Sequence, residues 1–163
     1  MPQKPLNKRI TCRVCGAEFY PHEKWQINEE KLLLAEGVDV HRFLIYACKT
    51  YKKSDIQVIS FGGNSELRTF LEALKNLEDF SKVKALVIAR DAETDVTSAV
   101  NSVKSSLENI GLPVPSEPFQ FKQKNGVKTA FMLFPGPDRN NKCQIGTIED
   151  LCLATISKDP LLN

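Results

Sequence analysis

Four short apolar runs constrain this chain more than any other feature: Lys31–Ala35 (KLLLA), Ile56–Ser60 (IQVIS), Ala85–Ala89 (ALVIA) and Thr129–Phe134 (TAFMLF). Each has the length of a strand and is too short to form a buried helix. Ala85–Ala89 is apolar throughout, the pattern of a strand covered on both faces. Between the runs lie segments of helical period. The first, Val40 to Tyr51, sets Phe43, Leu44, Ala47 and Cys48 on one face. The second spans Glu66–Leu77, with Asn64 or Ser65 as its cap. The third runs from Val96 to Ile110 and is stopped by Gly111 and Pro113. A fourth helix begins near Thr147, where Glu149 and Asp150 put acids in its first turn. Strands alternating with helices predict an α/β fold, with a central, mostly parallel four-stranded sheet flanked by helices. Right-handed crossovers follow from strand twist. The polar stretch Pro113 to Val127 is read as a loop or hairpin.

Residues 1–28 lack this rhythm and are read as an N-terminal arm on the α/β domain 29–163. The arm holds Cys12, Cys15, His22 and the sole tryptophan, Trp25. Cys12-Arg13-Val14-Cys15-Gly16 has the spacing of a zinc knuckle, with His22 as a third ligand. A structural site needs four ligands, and no second Cys-x-x-Cys exists. Two thiols without metal are the alternative. No apolar run approaches the roughly 18 residues of a membrane span, and no apolar segment of a secretory signal follows Met1–Ile10. The expected setting is therefore the cytoplasm, without membrane association. There, five scattered cysteines predict free or metal-bound thiols rather than a disulfide framework. A net charge of +2 excludes a histone-like polycation but leaves room for a local basic surface. One such surface is the segment 120–142, where Lys122, Lys124, Lys128, Arg139 and Lys142 stand against the single acid Asp138. Phe119, Phe121 and Phe131 are interleaved with them. Nucleic-acid contact and a solvated surface are the two readings of this segment.

In parallel sheets, sites form at the carboxyl ends of the strands. Strand one runs into Glu36. Strand three runs into Asp91, with Glu93 and Asp95 behind it. In an extended segment Asp91 and Glu93 point to one side, where two carboxylates suit Mg²⁺ or Mn²⁺, ions that take oxygen ligands together with water and substrate phosphate. A cap on the following helix is the alternative use of Asp91. Arg90 either pairs with Asp91 or holds substrate phosphate. Gly62-Gly63, ahead of a helix N-terminus, is read as a tight turn or a phosphate seat. It is no P-loop, because no Gly-Lys-Ser/Thr follows. His41, near Glu36 in sequence, is read as a surface residue within reach of the site.

Leu34-Ala35-Glu36-Gly37-Val38-Asp39, Phe61-Gly62-Gly63-Asn64-Ser65 and Val87-Ile88-Ala89-Arg90-Asp91-Ala92-Glu93 resemble the motifs of a TOPRIM domain, the Rossmann-like catalytic domain of topoisomerases, DnaG-type primases and OLD-type nucleases. The nearest likeness is to small stand-alone prokaryotic TOPRIM-like proteins and the OLD-type nuclease domain. Those small proteins also carry an Ile/Leu-Glu-Asp segment, here Ile148-Glu149-Asp150. The resemblance covers about Lys31 to Leu153. It implies that Glu36 acts as acid/base or metal ligand, that Asp91 is the principal metal ligand, and that Glu149-Asp150 adds a second acidic cluster. Glu93 stands where the family has Asp, one methylene longer.

The function these expectations converge on is Mg²⁺-dependent phosphoryl transfer on nucleic acid, most simply phosphodiester cleavage. A strand-passing topoisomerase or a full primase needs a longer chain. The alternative is a non-catalytic module of the same fold that binds nucleic acid or protein, with a protein partner or a homodimer as its context.

Overall fold

The computed structural model describes residues 26–156 and the short segments 10–11 and 18–19. Those two segments form an antiparallel pair, β1 (Ile10–Thr11) and β2 (Glu18–Phe19). The main body follows the order β3 (Lys31–Glu36), α1 (Gly37–Thr50), β4 (Gln57–Gly62), α2 (Leu67–Lys75), β5 (Ala85–Asp91), α3 (Val96–Asn109), β6 (Lys122–Lys124), β7 (Val127–Phe134) and α4 (Ile148–Ile156). The sheet has five strands in the order β4-β3-β5-β7-β6. The first four are mutually parallel, and β6 runs antiparallel to β7.

Strand alternation sorts the apolar runs onto two faces. Leu32 and Leu34 of β3, Leu86 and Ile88 of β5, and Phe131 and Leu133 of β7 face one core, closed by Phe70, Leu71 and Leu74 of α2 and by Ala99, Val103 and Leu107 of α3. Their neighbours Leu33, Ala35, Ala89 and Phe134 face a second core, closed by Val40 and Leu44 of α1 and Ile148 of α4. Each fully buried Leu, Ile or Phe contributes roughly 1.5–3 kcal/mol of apolar transfer. Burial on both faces is what the continuous apolar runs require.

The sheet differs from the four-stranded sheet expected from sequence. The stretch before β7 is a hairpin, turning at Asn125 and Gly126, both at positive φ. Its first arm, Lys122–Lys124, is exposed on both faces. A strand with no buried face carries no apolar alternation, so only the turn residues mark it. The start of α2 also differs. Neither Asn64 nor Ser65 caps it: a single 3₁₀ turn, Asn64–Glu66, comes first, and Gly63 is its cap.

The chain leaves β3 through α1 to β4 on one side and reaches β5 on the other. The strand order thus reverses between β3 and β5, the crevice where doubly wound sheets hold their ligands. Glu36 and Asp91 end those two strands.

Candidate acidic site at the sheet switch point

The β3–β5 ladder runs in register from Lys31↔Ala85 to Ala35↔Ala89 and stops there. On the other side of β3 the register shifts between Ala35 and Glu36 by one extra residue of β4, and Glu36 continues the alternation of Leu32 and Leu34 onto the face covered by α3. The Glu36 carboxylate then takes over the missing ladder bond, its Oε2 accepting from the Asp91 backbone N–H at 3.3 Å. The same oxygen lies 3.3 Å from the Arg90 Nε. Glu36 is 7% exposed and Arg90 1%, so this is an ion pair held inside the protein. Arg90 follows Leu86 and Ile88 on the face covered by α3, and its Nη1 donates to Ser102 Oγ at 3.2 Å. Arg90 therefore forms its ion pair with Glu36 and not with the Asp91 carboxylate. Burial pushes the Glu36 carboxyl up. Arg90 and the Asp91 N–H bond pull it back, and the charges of Asp91 and Glu93 add to the rise.

Asp91 is half-buried and points to the opposite face. Its Oδ1 accepts from the Ile148 N–H at 2.9 Å, so it caps α4 rather than the helix that follows it in sequence. Asp95 caps that helix, α3, accepting from Thr97 and Ser98. Burial raises the Asp91 carboxyl to about 6. The Ile148 hydrogen bond opposes the rise, while the charges of Glu149 and Glu93 reinforce it. The N-terminus of α4 thus brings Glu149 near Asp91. Asp150 turns the other way: its Oδ2 accepts from the Thr147 N–H at 2.8 Å, which satisfies an end of α4. The expected second cluster is therefore split, with Glu149 facing Asp91 and Asp150 serving the helix.

Glu93 does not continue an extended strand. β5 ends at Asp91, and Glu93 takes φ 52 in the left-handed region. Its N–H and C=O bond to Gly146 at 2.8 and 2.7 Å, pinning the loop before α4 against the turn after β5. The extended i, i+2 backbone expected from sequence therefore ends at Asp91, and a turn carries Glu93. Glu93 still acts on Glu36 and Asp91 by its charge, from an exposed position.

The other predicted residues sit elsewhere. At Gly62-Gly63 the turn is real, with Gly62 at φ 88. Its anion seat, however, is filled from within: Glu66 Oε2 accepts from the Gly63 N–H at 3.2 Å. A Cβ on Gly62 would overlap that same carboxylate. Lys122, Lys124 and Lys128 lie at the amino edge. Lys128 pairs with Ala85 while Phe134 pairs with Asp91, six residues or roughly 20 Å along the strand. These three lysines and the acidic crevice are thus at opposite ends of the sheet, whereas Arg139 and Lys142 follow β7 on the crevice side. His41 lies against the backbone of Val58 on β4, and burial holds it below the ordinary histidine range. Cys12, Cys15 and His22 lie outside the described residues.

Two contributors escaped the sequence reading. Ser102 carries no signal of its own, since serines abound on helices. The Ile148 N–H is a backbone donor and is invisible as a residue type. A cue did exist at Arg90, because an arginine in register with Leu86 and Ile88 must find a buried partner. Glu36 is that partner.

Among the described residues, no three of His, Cys, Asp and Glu converge as a group able to hold a metal ion. No described helix is long and apolar enough to cross a membrane. Fold and site together define a doubly wound, Rossmann-like α/β protein with carboxylates gathered at its switch point. Residues 30–163 match the model of the family described as protein of unknown function, DUF3226, and the chain belongs to that family. No curated protein and no solved structure matches it.

Proposed function

We propose that the crevice binds Mg²⁺ or Mn²⁺ and performs phosphoryl transfer on nucleic acid, most simply phosphodiester cleavage. The observation that carries this reading is the uneven charge at the switch point. Four carboxylates, Glu36, Asp91, Glu93 and Glu149, gather around one internal cation, Arg90, which acts on Glu36 and Asp91, and the Asp91 carboxyl is raised to about 6 by burial and by Glu149 and Glu93. Carboxylates crowded at a crevice are relieved by a hard cation. The donor set is all oxygen. Two carboxylates with water and substrate phosphate make an ordinary Mg²⁺ environment. Asp91 and Glu93 are the residues that would hold the ion, with Glu149 beside them. When bound there, the ion would supply charge neutralisation at the phosphate oxygens and a more acidic water. Ile148 fixes the orientation of Asp91 by taking up Oδ1. Arg90 fixes Glu36 through Oε2, and the raised carboxyl of Glu36 suits it to hold and return a proton. The resemblance to TOPRIM domains supports the same assignment of Glu36 and Asp91.

A second reading rests on the Glu36–Arg90 pair. The guanidinium already balances the residue that would otherwise attract a cation, as expected of a binding module that keeps the fold without the chemistry. The two readings part on one experiment. Thermal melts of the wild-type chain and of Asp91→Asn, with and without Mg²⁺ or Mn²⁺, are read alongside incubation with labelled single- and double-stranded oligonucleotides. Catalysis predicts a metal-dependent rise in Tm and metal-dependent cleavage, both lost in Asp91→Asn. An unmoved Tm and intact oligonucleotides would rule it out in favour of the binding module.

A further inference from the structure

A groove of about 630 Å³ opens between α3 and the loops at 115–120 and 137–143, a volume in the range of small-ligand sites. Its apolar lining includes Val96 and Val100 from the first turns of α3, and Phe119 contributes an aromatic ring 48% exposed. Gln120, Asn141 and Lys142 add two amides and a cation, and Glu117 adds one carboxylate at the rim. Phe119 is held on fixed backbone, since its N–H donates to the Phe131 carbonyl of β7 at 2.7 Å. Both Phe119, at φ 63, and Asn141, at φ 60, occupy the left-handed region. A bulky residue rarely adopts that conformation without other constraints, and such strain gathers at ligand clamps.

The groove adjoins the acidic crevice. Val96 is three residues from Glu93, and Cys143, which also lines the groove, is three residues from Gly146. Glu93 and Gly146 are hydrogen-bonded to each other. Three residues of chain span at most about 10 Å, a length that a short stretch of nucleotides crosses.

We infer that this groove holds an unpaired nucleobase of a single-stranded nucleic acid whose phosphates run on to the crevice. The inference rests on the phosphoryl-transfer reading and names the substrate class for it. A ring face, an apolar floor, amides and one cation are what a splayed base and its phosphate need. A paired base inside a duplex cannot enter such a groove, because its faces are stacked. Base–aromatic stacking is worth about 1–3 kcal/mol per base and tolerates any base. Phe119 is therefore the principal contact, and Lys142 meets the adjoining phosphate.

The test is fluorescence anisotropy with a labelled oligothymidylate in excess chelator, so that binding is read without metal or cleavage. Phe119→Ala should weaken binding by about tenfold. Lys142→Ala should weaken it less and reduce its dependence on salt. Tyr51→Ala, which removes an exposed ring at the far end of α1, should bind like the wild type. A duplex of equal length should compete at least about tenfold more weakly. Wild-type affinity in both groove variants, equal competition by duplex, or no binding of the oligonucleotide at all would each overturn the inference. The crevice reading fails separately, through an unmoved Tm with Mg²⁺. In that case a loss of binding confined to Phe119→Ala and Lys142→Ala would still establish the groove.

Discussion

Asp91 and Arg90 are adjacent in the chain and face opposite sides of the sheet, so they answer to different physics. Asp91 is a carboxyl raised by burial and by like charges. A carboxyl whose folded pKa exceeds its unfolded value binds protons more tightly in the native state. It therefore opposes folding above about pH 6 and is relieved as the pH falls toward 4. Asp91→Asn keeps the oxygen that accepts from Ile148 and removes the charge. Urea denaturation at pH 7 without metal should find it more stable than the wild type by roughly 1–2 kcal/mol, with a flatter stability profile between pH 4 and 6. The figure is below the full shift because solvent screens a half-exposed carboxylate. A less stable variant at pH 7 would show that the charge is already compensated. Arg90 is the reverse case, a buried cation with its partner. Glu36→Gln should cost roughly 3–5 kcal/mol because it strands that cation. Joining it to Arg90→Met should recover most of the loss, measured as a double-mutant cycle in urea.

At the scale of elements, α4 is the helix on which the site depends. Its N-terminus is tied to the sheet by Asp91 and capped by Asp150, and these bonds, with the Glu93–Gly146 pair and the buried Ile148, keep Glu149 beside the crevice. Asp150→Ala should cost about 1 kcal/mol, the usual value of a lost helix cap, and should leave any Mg²⁺-induced rise in Tm in place. Loss of that rise would return Asp150 to the metal site. The turn after β4 is built as tightly. Gly62→Ala places a Cβ on the Glu66 carboxylate at φ 88 and should lower stability by roughly 1–3 kcal/mol in urea. At both positions a carboxylate satisfies a backbone N–H at a helix start, Asp150 at α4 and Glu66 at the 3₁₀ turn before α2.

At the scale of the whole molecule, the two cores draw their residues from Ile27 to Ile148. The lead-in to β3 is fastened by Gln57, whose side chain bonds the backbone of Gln26, Asn28 and Glu29. A chain starting at Gln26 should therefore melt in one cooperative step by circular dichroism, within a few degrees of the full chain. Loss of that step would make residues 1–25 part of the folding unit. The same layered packing keeps the candidate site at one edge. The carboxylates and the groove lie near the carboxyl ends of β5 and β7, while the lysines of β6 sit some 20 Å away.

Residue periodicity by itself determined the α/β class, the four parallel strands, the helices between them and the position of Glu36 and Asp91 after strands one and three. Those features depend on which residues are apolar and how often, and burial on two faces of a sheet demands that pattern locally. What the pattern omits is which face each polar side chain meets. Arg90 reads as a neighbour of Asp91 and becomes the partner of Glu36, because alternation turns it toward α3. Asp150 reads as a ligand and becomes a cap. β6 has no buried face, so it left no apolar trace. The lysines around it read as a basic surface with no stated place on the sheet and lie at its amino end, because a hairpin reverses the chain just before β7. Pairing, register and strand direction are relations between residues far apart in sequence, and only the folded arrangement decides them.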